Sequence, residues 1–331
     1  EYNNVASVDV VDPLTVKINL KVPDGNFLHQ VANYHQGQVL KKEAVDKAGD
    51  QYKWNPVGTG PFQLESFTPG SRIVLTRHPG YFKGAATLER IELPIIKDDE
   101  TAAIALQNKE VDLAMRIGVQ ETLKRLQADS KFKMNKAGGG ISLTIFNPAV
   151  EAFKDIRVRQ AWAHAIDRDA IIKATTPLTT ERFYNIINDW MDVYTPDVPK
   201  YEYNPEKAKQ LLAAAGYANG FTVKVLQTAA TGVTEAQFSY LHPDNIAPKG
   251  LNGAKYNNPE LTSKLEAARG ETDQAKRKAL YAEVQKIALT DLPYLPNSVS
   301  VVYWPGYAWV DGVNINPLSE VNFYDVRILA H

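Results

Sequence analysis

The stretch Asn55-Pro56-Val57-Gly58-Thr59-Gly60-Pro61-Phe62 joins two parts of the chain that differ in character. Its two glycines give the backbone freedom, and its second proline restricts φ. Beyond it, the apolar runs 62–67 and 73–76 flank the pair Pro69-Gly70. Two short apolar runs around a Pro-Gly pair predict a β-hairpin. This pattern predicts a turn between two strands. By itself it indicates no function.

The size and charge of the chain exclude several classes of protein. Its 331 residues are 44% apolar, enough for two domains with sizeable cores. The formal net charge of −1 argues against a nucleic-acid binder and against a basic patch that holds a membrane. No run of about 18 apolar residues predicts a membrane span. No signal peptide is visible at Glu1, so we expect that none existed or that it was removed.

Cysteine is absent from the sequence, whereas aromatic residues are plentiful. The absence of cysteine excludes disulfides, thiolate metal sites and cysteine nucleophiles, and it suits an oxidising compartment. The chain holds 16 Tyr, 11 Phe and 5 Trp. These aromatic residues predict either a well-packed core or an aromatic-lined ligand cleft.

Five separate blocks carry recognisable motifs. The first combines the Asn55 turn with Arg77-His78-Pro79-Gly80-Tyr81-Phe82, and the second is the strand–helix–strand run 95–115. The most specific reads Phe153-Lys154-Asp155-Ile156-Arg157-Val158-Arg159-Gln160-Ala161 and continues at Ala165-Ile166-Asp167-Arg168. The remaining blocks are 203–220, which begins Tyr203-Asn204-Pro205-Glu206, and a helical stretch that begins at Asn258-Pro259.

These blocks together resemble the family 5 extracytoplasmic solute-binding proteins of ABC importers, the oligopeptide, dipeptide and nickel binders. In that family the loop at 77–82 usually has Asn where this chain has His78. The resemblance implies an α/β fold, bilobal and of the periplasmic-binding-protein type (type II), with mixed sheets and a hinge. It also implies the mechanism, in which hinge closure traps a solute between two lobes.

The resemblance divides the chain into three parts. Residues 1–55 are expected to be a remnant of a small α/β subdomain. Residues 56–146 plus 304–331 are expected to form lobe I, and residues 147–303 to form lobe II. The chain would then cross between the lobes near Asn147 and again near Tyr303.

Compared with the family pattern, the chain lacks two segments. The N-terminal part of the small subdomain is missing, and so is a stretch of the second lobe within 227–240. A sheet without its central strands would expose apolar edges. We therefore expect this sequence to be part of a longer chain. The alternative is a natural minimal form.

Two polar residues follow predicted strands, where α/β sheets place their ligands. Arg116 follows the strand 111–115 and could meet an anionic group, although it could also be an ordinary solvated arginine. Asn147 follows the strand 141–146 and offers two donors and an acceptor, or else forms a turn before Pro148.

Other candidates come from the loops that border the cleft in the resembling family. The irregular stretch 175–204 holds Trp190, and a long loop of this kind is often functional. The loop that starts near Ser239 supplies ligand contacts in that family, whose peptide binders carry an Asp at this position. We expect six residues to face one cavity: Arg116, Phe146, Asn147, Trp190, Tyr240 and His242.

No motif for catalysis or for a resident metal or cofactor is present. The chain lacks a phosphate-binding loop, a nucleophile elbow and the H-E-x-x-H pair. The six histidines are scattered, so a metal site built by local spacing is not expected. We therefore predict no enzyme activity and no cofactor.

The sequence thus predicts the substrate-binding component of an ABC importer. It would capture a small solute, peptide-like or related, and deliver it to the permease subunits. The alternatives are a nickel- or metal-chelate-binding protein of the same fold, or an interaction or scaffold protein without a transport role. Peptide, metal chelate, opine-like compound and sugar all remain open as ligands. We expect a periplasmic monomer, or an extracellular protein tethered by a lipid, with no nucleic acid and no membrane insertion.

Overall fold

The structure is a computed structural model that describes residues 2–25, 27–32, 37–226, 237–316 and 320–330. The chain divides into two compact units. Unit 1 comprises Glu1–Val31, Gly140–Ile171 and Arg182–Val299. Unit 2 comprises Ala32–Gly139, Ile172–Glu181 and Ser300–His331.

Helices and strands alternate along much of the chain. The helices are α1 Phe27–Val31, α2 Lys42–Ala48, α3 Asp99–Gln107, α4 Gln120–Gln127, α5 Ile156–Ala165, α6 Arg168–Thr175, α7 Pro205–Ala214, α8 Gln237–Leu241, α9 Pro259–Gly270 and α10 Gln274–Asp291. The strands are β1 Val5–Asp12, β2 Thr15–Leu20, β3 Phe62–Thr68, β4 Arg72–Arg77, β5 Arg90–Pro94, β6 Phe132–Ile145, β7 Thr180–Arg182, β8 Tyr294–Tyr307, β9 Val310–Asp311 and β10 Arg327–Ile328. Short 3₁₀ helices cover Gly49–Trp54, Glu151–Lys154 and Pro243–Asn245.

Local sequence signals explain where several helices begin. The Asn204 side chain accepts a hydrogen bond from the Lys207 amide at the start of α7. Asn258 caps α9 in the same way, and a proline follows each asparagine. An Asn cap before a proline at the first helical position satisfies free amides and fixes φ. Both helix starts are therefore as the sequence predicts.

Strands β1 and β2 form an antiparallel hairpin in which Val8 pairs with Ile18 and Val10 with Val16. Because paired residues share one face of a sheet, these four side chains form a single apolar face. All four are exposed to solvent. The hairpin thus pairs through its backbone and leaves its apolar face uncovered by the described residues.

The hairpin after the Asn55 turn is also present. Strands β3 and β4 pair antiparallel around Gly70, and β5 adds a third antiparallel strand on β4. Gly70 has φ of +73°, a left-handed conformation that glycine adopts without strain. The predicted turn chemistry therefore explains the connection.

Strands β6, β8 and β7 form a sheet in that order. Three consecutive glycines at 138–140 favour a turn by composition, and this expectation is wrong, because β6 runs unbroken through them. A Cβ atom built on Gly139 would lie 2.3 Å from Ser300 Oγ in β8. The same Cβ would lie 3.3 Å from the main-chain oxygen of Ser300, and a glycine inside a strand often marks such a close approach of its neighbour.

Each unit has its own hydrophobic core. In unit 1 the helices α9 and α10 supply Leu261, Leu265, Val284 and Leu289 to one fully buried cluster. In unit 2 the helices α3 and α4 bury Leu106 and several neighbours against the end of β8. The apolar content of the chain is thus sufficient for two separate cores.

Two predicted strands are absent or reduced in the structure. The alternating residues 221–226 predict a strand but have no strand pairing. The predicted strand 111–115 is reduced to one bridge between Leu113 and Gly306. The predicted missing stretch within 227–240 lies largely outside the described residues. The lobe limits 1–55, 56–146 with 304–331, and 147–303 stay predictions. The two units divide at 31/32, 139/140, 171/172, 181/182 and 299/300.

Candidate functional site

Arg116 lies in unit 2 in an uncommon backbone conformation. Its φ is +58°, in the left-handed region that side chains other than glycine seldom adopt. It sits between two backbone hydrogen bonds, Ala114 N to Pro305 O at 2.8 Å and Ile117 N to Tyr303 O at 3.0 Å. Its side chain is exposed and makes no ion pair with a carboxylate of the described residues. A strained residue held this firmly often has a binding role.

Asn147 lies in unit 1, two residues after the end of β6, and is exposed. Its Oδ1 accepts from the Ala149 amide at 2.9 Å, and its main-chain oxygen accepts from the Val150 amide at 3.1 Å. The acceptor half of the amide is therefore used within a local turn. The Nδ2 group is the part of this side chain that is left for a ligand.

Phe146 is 3% exposed and packs within unit 1. Its ring meets Phe153 edge-on at 5.1 Å and Trp162 at 6.3 Å. These three rings belong to one buried cluster with Val158 and Leu295. The structure therefore gives Phe146 a core position, and its expected contact with a ligand stays a prediction.

Tyr240, in unit 1, belongs to helix α8 and packs against Tyr294. The two rings meet edge-on with centroids 5.9 Å apart, and the Tyr294 hydroxyl donates to the main-chain oxygen of Tyr240 at 3.0 Å. Burial raises the pKa of the Tyr240 phenol above its ordinary value. The side chain is half-buried, so part of its ring is available to a ligand.

His242, also in unit 1, is 3% exposed, and its ring nitrogens face polar groups. Nδ1 accepts from the Asp244 amide at 3.2 Å, which places the proton of a neutral imidazole on Nε2. Nε2 then donates to Glu266 Oε1 at 3.3 Å. This arrangement caps the 3₁₀ helix at Pro243–Asn245. Its predicted contact with a ligand stays a prediction.

Trp190 is half-buried in the long loop of unit 1, as is its neighbour Met191. The loop is held by two buried amides that sequence reasoning misses, Asn185 and Gln285. Asn185 Nδ2 donates to Gln285 Oε1 at 2.8 Å, and Gln285 Nε2 donates to Val193 O at 2.8 Å. These bonds fix the irregular segment on helix α10. In the sequence, only the length and the aromatic content of this loop could have suggested that it is held on α10.

Asn188 is a further residue that the sequence analysis does not single out. It is 1% exposed, and neither Oδ1 nor Nδ2 has a hydrogen-bond partner among the described residues. The indole Nε1 of Trp190 is likewise buried without such a partner. No pattern in the sequence distinguishes this asparagine from others in polar loops.

The arginines of the most specific motif are structural. Arg159 donates through Nε and Nη2 to the main-chain oxygen of Asp291 at 2.9 and 2.6 Å. Arg168 is 6% exposed and donates to the main-chain oxygens of Ala163 and Tyr201. Burial lowers the pKa of the Arg168 guanidinium to about 10. The motif therefore joins main-chain segments and does not form a reactive centre.

A cavity of about 450 Å³ lies in unit 2, away from the predicted site residues. Its apolar floor includes Tyr307 and Trp309, whose rings stack with centroids 3.9 Å apart. Lys109 extends over the Trp309 ring at 5.9 Å from its centroid. The cavity is lined by Gln107, Lys109, Asp129, Lys131, Phe132, Tyr307 and Trp309.

Metal-ligating side chains and long apolar helices are two further features that bear on function. Within the described ranges, no group of three or more His, Asp or Glu side chains is arranged to hold a metal ion. Across the same part of the chain, no helix combines the length and apolarity that crossing a bilayer requires.

Comparisons with known proteins agree on one family. The profile of "Bacterial extracellular solute-binding proteins, family 5 Middle" matches residues 1–276. Heme-binding protein A of Haemophilus influenzae is 27% identical over 388 aligned positions, which cover 97% of this chain and 70% of that protein.

Solved structures show the same fold. HbpA2 from Haemophilus parasuis has a TM-score of 0.86 at 25% identity, covering 98% of this chain and 76% of that one. The ABC transporter-associated periplasmic binding protein DppA from Helicobacter pylori, in complex with the peptide STSA, has a TM-score of 0.73 at 24% identity. That match covers 98% of this chain and 74% of the other. The predicted α/β fold of the bilobal periplasmic-binding-protein type is confirmed.

Proposed function

Because the chain belongs to family 5 of the bacterial extracellular solute-binding proteins, we propose that it captures a small organic solute for an ABC importer. The family consists of substrate-binding proteins that work with ABC permeases. The observation that carries the proposal is the family match over residues 1–276, together with the fold similarity at a TM-score of 0.86. One relative named above is a heme-binding protein and another is solved with a peptide, which makes organic solutes the first class to test.

The contacts with the solute are proposed to come from the residues that the sequence analysis selects. The exposed Arg116 in its left-handed conformation is suited to pair with a carboxylate, because its guanidinium is a planar fork of donors. In unit 1 the Nδ2 group of Asn147 and the half-buried rings of Trp190 and Tyr240 offer donors and apolar surface. Such a combination of aromatic walls and a few polar anchors is typical of small-molecule sites.

Several finer properties belong to the same proposal. We propose that the protein acts as a monomer outside the cytoplasm, in the periplasm or tethered by a lipid, and binds no nucleic acid. We also propose that it turns over no substrate, since the sequence holds no catalytic motif of the kinds considered above. The metal-chelate alternative gains no specific support from the described residues.

The test is the identity of the solute that the purified protein retains. Native mass spectrometry should find one small organic molecule per chain, which denaturation releases for identification. Calorimetric titration of the emptied protein with that molecule should then give a stoichiometry of one. If no solute is retained, and peptides, heme, sugars and opines neither bind nor raise the melting temperature, the proposal fails.

A further inference from the structure

Three buried polar atoms within three residues of one loop lack a hydrogen-bond partner among the described residues. They are Oδ1 and Nδ2 of Asn188 and Nε1 of Trp190. Buried polar atoms in folded proteins almost always have a partner, so an asparagine with neither end bonded needs an explanation. Other side chains of the described residues, such as Trp162 and Thr262, each leave one buried atom without such a partner, whereas Asn188 leaves both ends of its amide.

Other buried asparagines of unit 1 are fully bonded. Asn185 donates to Thr195 O and Gln285 Oε1 and accepts from the Ile186 amide at 2.7 Å. Asn252 is 0% exposed, donates to His242 O and Tyr256 O, and accepts from the Tyr256 amide. These two asparagines thus bond both ends of the side-chain amide, in contrast to Asn188.

The loop also holds Asn188 in place. Its main-chain oxygen accepts from the Met191 amide at 3.2 Å, and the Tyr194 amide donates to Met191 O at 3.0 Å. On either side, Asn185 and Thr195 are both bonded to Gln285 of helix α10. The side chain of Asn188 is itself buried, whereas residues 189–192 are exposed or half-buried. A fixed donor and acceptor need little reorganisation when a partner arrives.

We propose that Asn188 and Trp190 determine the specificity of the solute site by hydrogen-bonding an amide group of the solute. This inference rests on the proposed function. Asn188 offers two N–H donors and one acceptor, and Trp190 adds one N–H donor. An amide complements this set, because its carbonyl accepts while its N–H donates to Oδ1. A bare carboxylate would leave the Oδ1 acceptor facing a second acceptor.

The inference predicts opposite effects of one substitution on folding and on binding. Asn188→Leu replaces an unbonded buried amide by an apolar group of similar size, so the ligand-free protein should melt at the same temperature or higher. The same change removes the partners of the solute, so affinity should fall about tenfold to a hundredfold. Asn135→Leu is the matched control, because Asn135 is buried but donates to Trp304 O at 3.0 Å. It should lower the melting temperature.

Trp190→Phe removes the indole N–H and keeps an aromatic ring. Affinity should fall about fivefold to tenfold, the range for one lost neutral hydrogen bond. Trp162→Phe is the control in the same unit, because the Trp162 indole N–H is also buried without a partner among the described residues, but its ring packs against the core beside Phe146 and Phe153. It should leave affinity unchanged.

The probes are a dipeptide and its ester analogue, in which the amide N–H is replaced by oxygen, with calorimetry as the readout. The wild type should bind the amide about tenfold more tightly, and Asn188→Leu should remove that preference. If the wild type binds the probes and Asn188→Leu binds them equally well, bound water satisfies the hydrogen-bonding groups of Asn188. The inference then fails, while the proposed function stands. If Asn188→Leu melts as low as Asn135→Leu, the amide is bonded in solution and the inference also fails. A wild type without any solute overturns the proposed function and this inference together.

Discussion

Gly139 of strand β6 and Ser300 of strand β8 approach so closely that a Cβ atom on the glycine would lie 2.3 Å from Ser300 Oγ. Both residues stand at the limits of unit 2, where each strand passes into unit 1. Side chains of ordinary size at both positions would overlap. The glycine is therefore required by a partner strand about half the chain away in sequence.

We expect Gly139→Ala to lower the free energy of unfolding by roughly 1–3 kcal/mol, because overpacking forces the two strands apart. Urea unfolding measures this change. Gly138→Ala is the control, since a Cβ there meets nothing within 4 Å, and its effect should be small. Ser300→Ala should restore part of the stability in the double variant. Equal effects at the two glycines would contradict the packing explanation.

Arg116→Gly should separate the binding role of Arg116 from its backbone strain. Glycine adopts a φ of +58° freely, so the free energy of unfolding should stay constant or rise by about 1 kcal/mol. Affinity for the retained solute should fall roughly tenfold to a hundredfold if the guanidinium pairs with it.

Lys109→Gly is the matched control for Arg116→Gly. Lys109 has a φ of +63° after the end of α3, where glycine is favoured at a helix terminus. Calorimetric titration should show unchanged affinity in this variant. If both glycine variants bind like the wild type, Arg116 is a solvated arginine and lies outside the site.

Asp155 should stabilise the fold in a pH-dependent way. Its carboxylate caps α5 and pairs with Arg157, whose hydrogen bond holds the pKa of Asp155 below its ordinary value of 3.8. Because the folded pKa is depressed, the stabilisation is present above about pH 4 and is lost as the pH falls through the folded pKa.

Asp155→Asn keeps the cap and removes the charge. It should lower the free energy of unfolding by roughly 0.5–1 kcal/mol at pH 7. Melting curves recorded between pH 7 and pH 2.5 should show the wild type and the variant converging. Asp50→Asn, at an exposed position outside this pair, is the control. A difference that persists unchanged at the lowest pH would contradict the charge-based explanation.

Tyr256→Phe tests a buried contact that joins α10 to the loop before α9. The Tyr256 hydroxyl donates to Asp291 Oδ2 at 2.6 Å, and burial raises the pKa of this phenol. Losing a hydrogen bond to a charged group should lower the free energy of unfolding by about 1.5–3 kcal/mol. Tyr203→Phe is the comparison, because Tyr203 is exposed. Chemical unfolding at neutral pH should separate the two variants clearly.

Short-range chemistry predicts much of this fold. The helices that begin after Asn204 and Asn258 follow from a cap and a proline, and the hairpin around Gly70 follows from its turn residues. In each case the deciding interactions lie within a few residues of each other. The local sequence is therefore sufficient to predict these helix starts and this hairpin.

The rest depends on partners that are distant in the chain. The glycines at 138–140 signal a turn by composition, yet pairing with β8 makes them part of a strand. Phe146 follows the end of a strand, and its core position depends on Leu292 and Leu295, which lie far away in the sequence. Asn188 carries no signal at all, because only the absence of neighbouring partners sets it apart.

The β1–β2 hairpin has a consequence for local unfolding of the protein. Its paired residues are exposed or partly exposed, and the apolar face of Val8, Val10, Val16 and Ile18 adds nothing buried to the core of unit 1. An isolated two-stranded hairpin is only marginally stable in water. Its backbone amides should therefore exchange with deuterium long before those of α9 and α10, as a local event separate from global unfolding. A protease offered the native protein should cut near Leu14, which is 97% exposed, and leave the remaining unit folded.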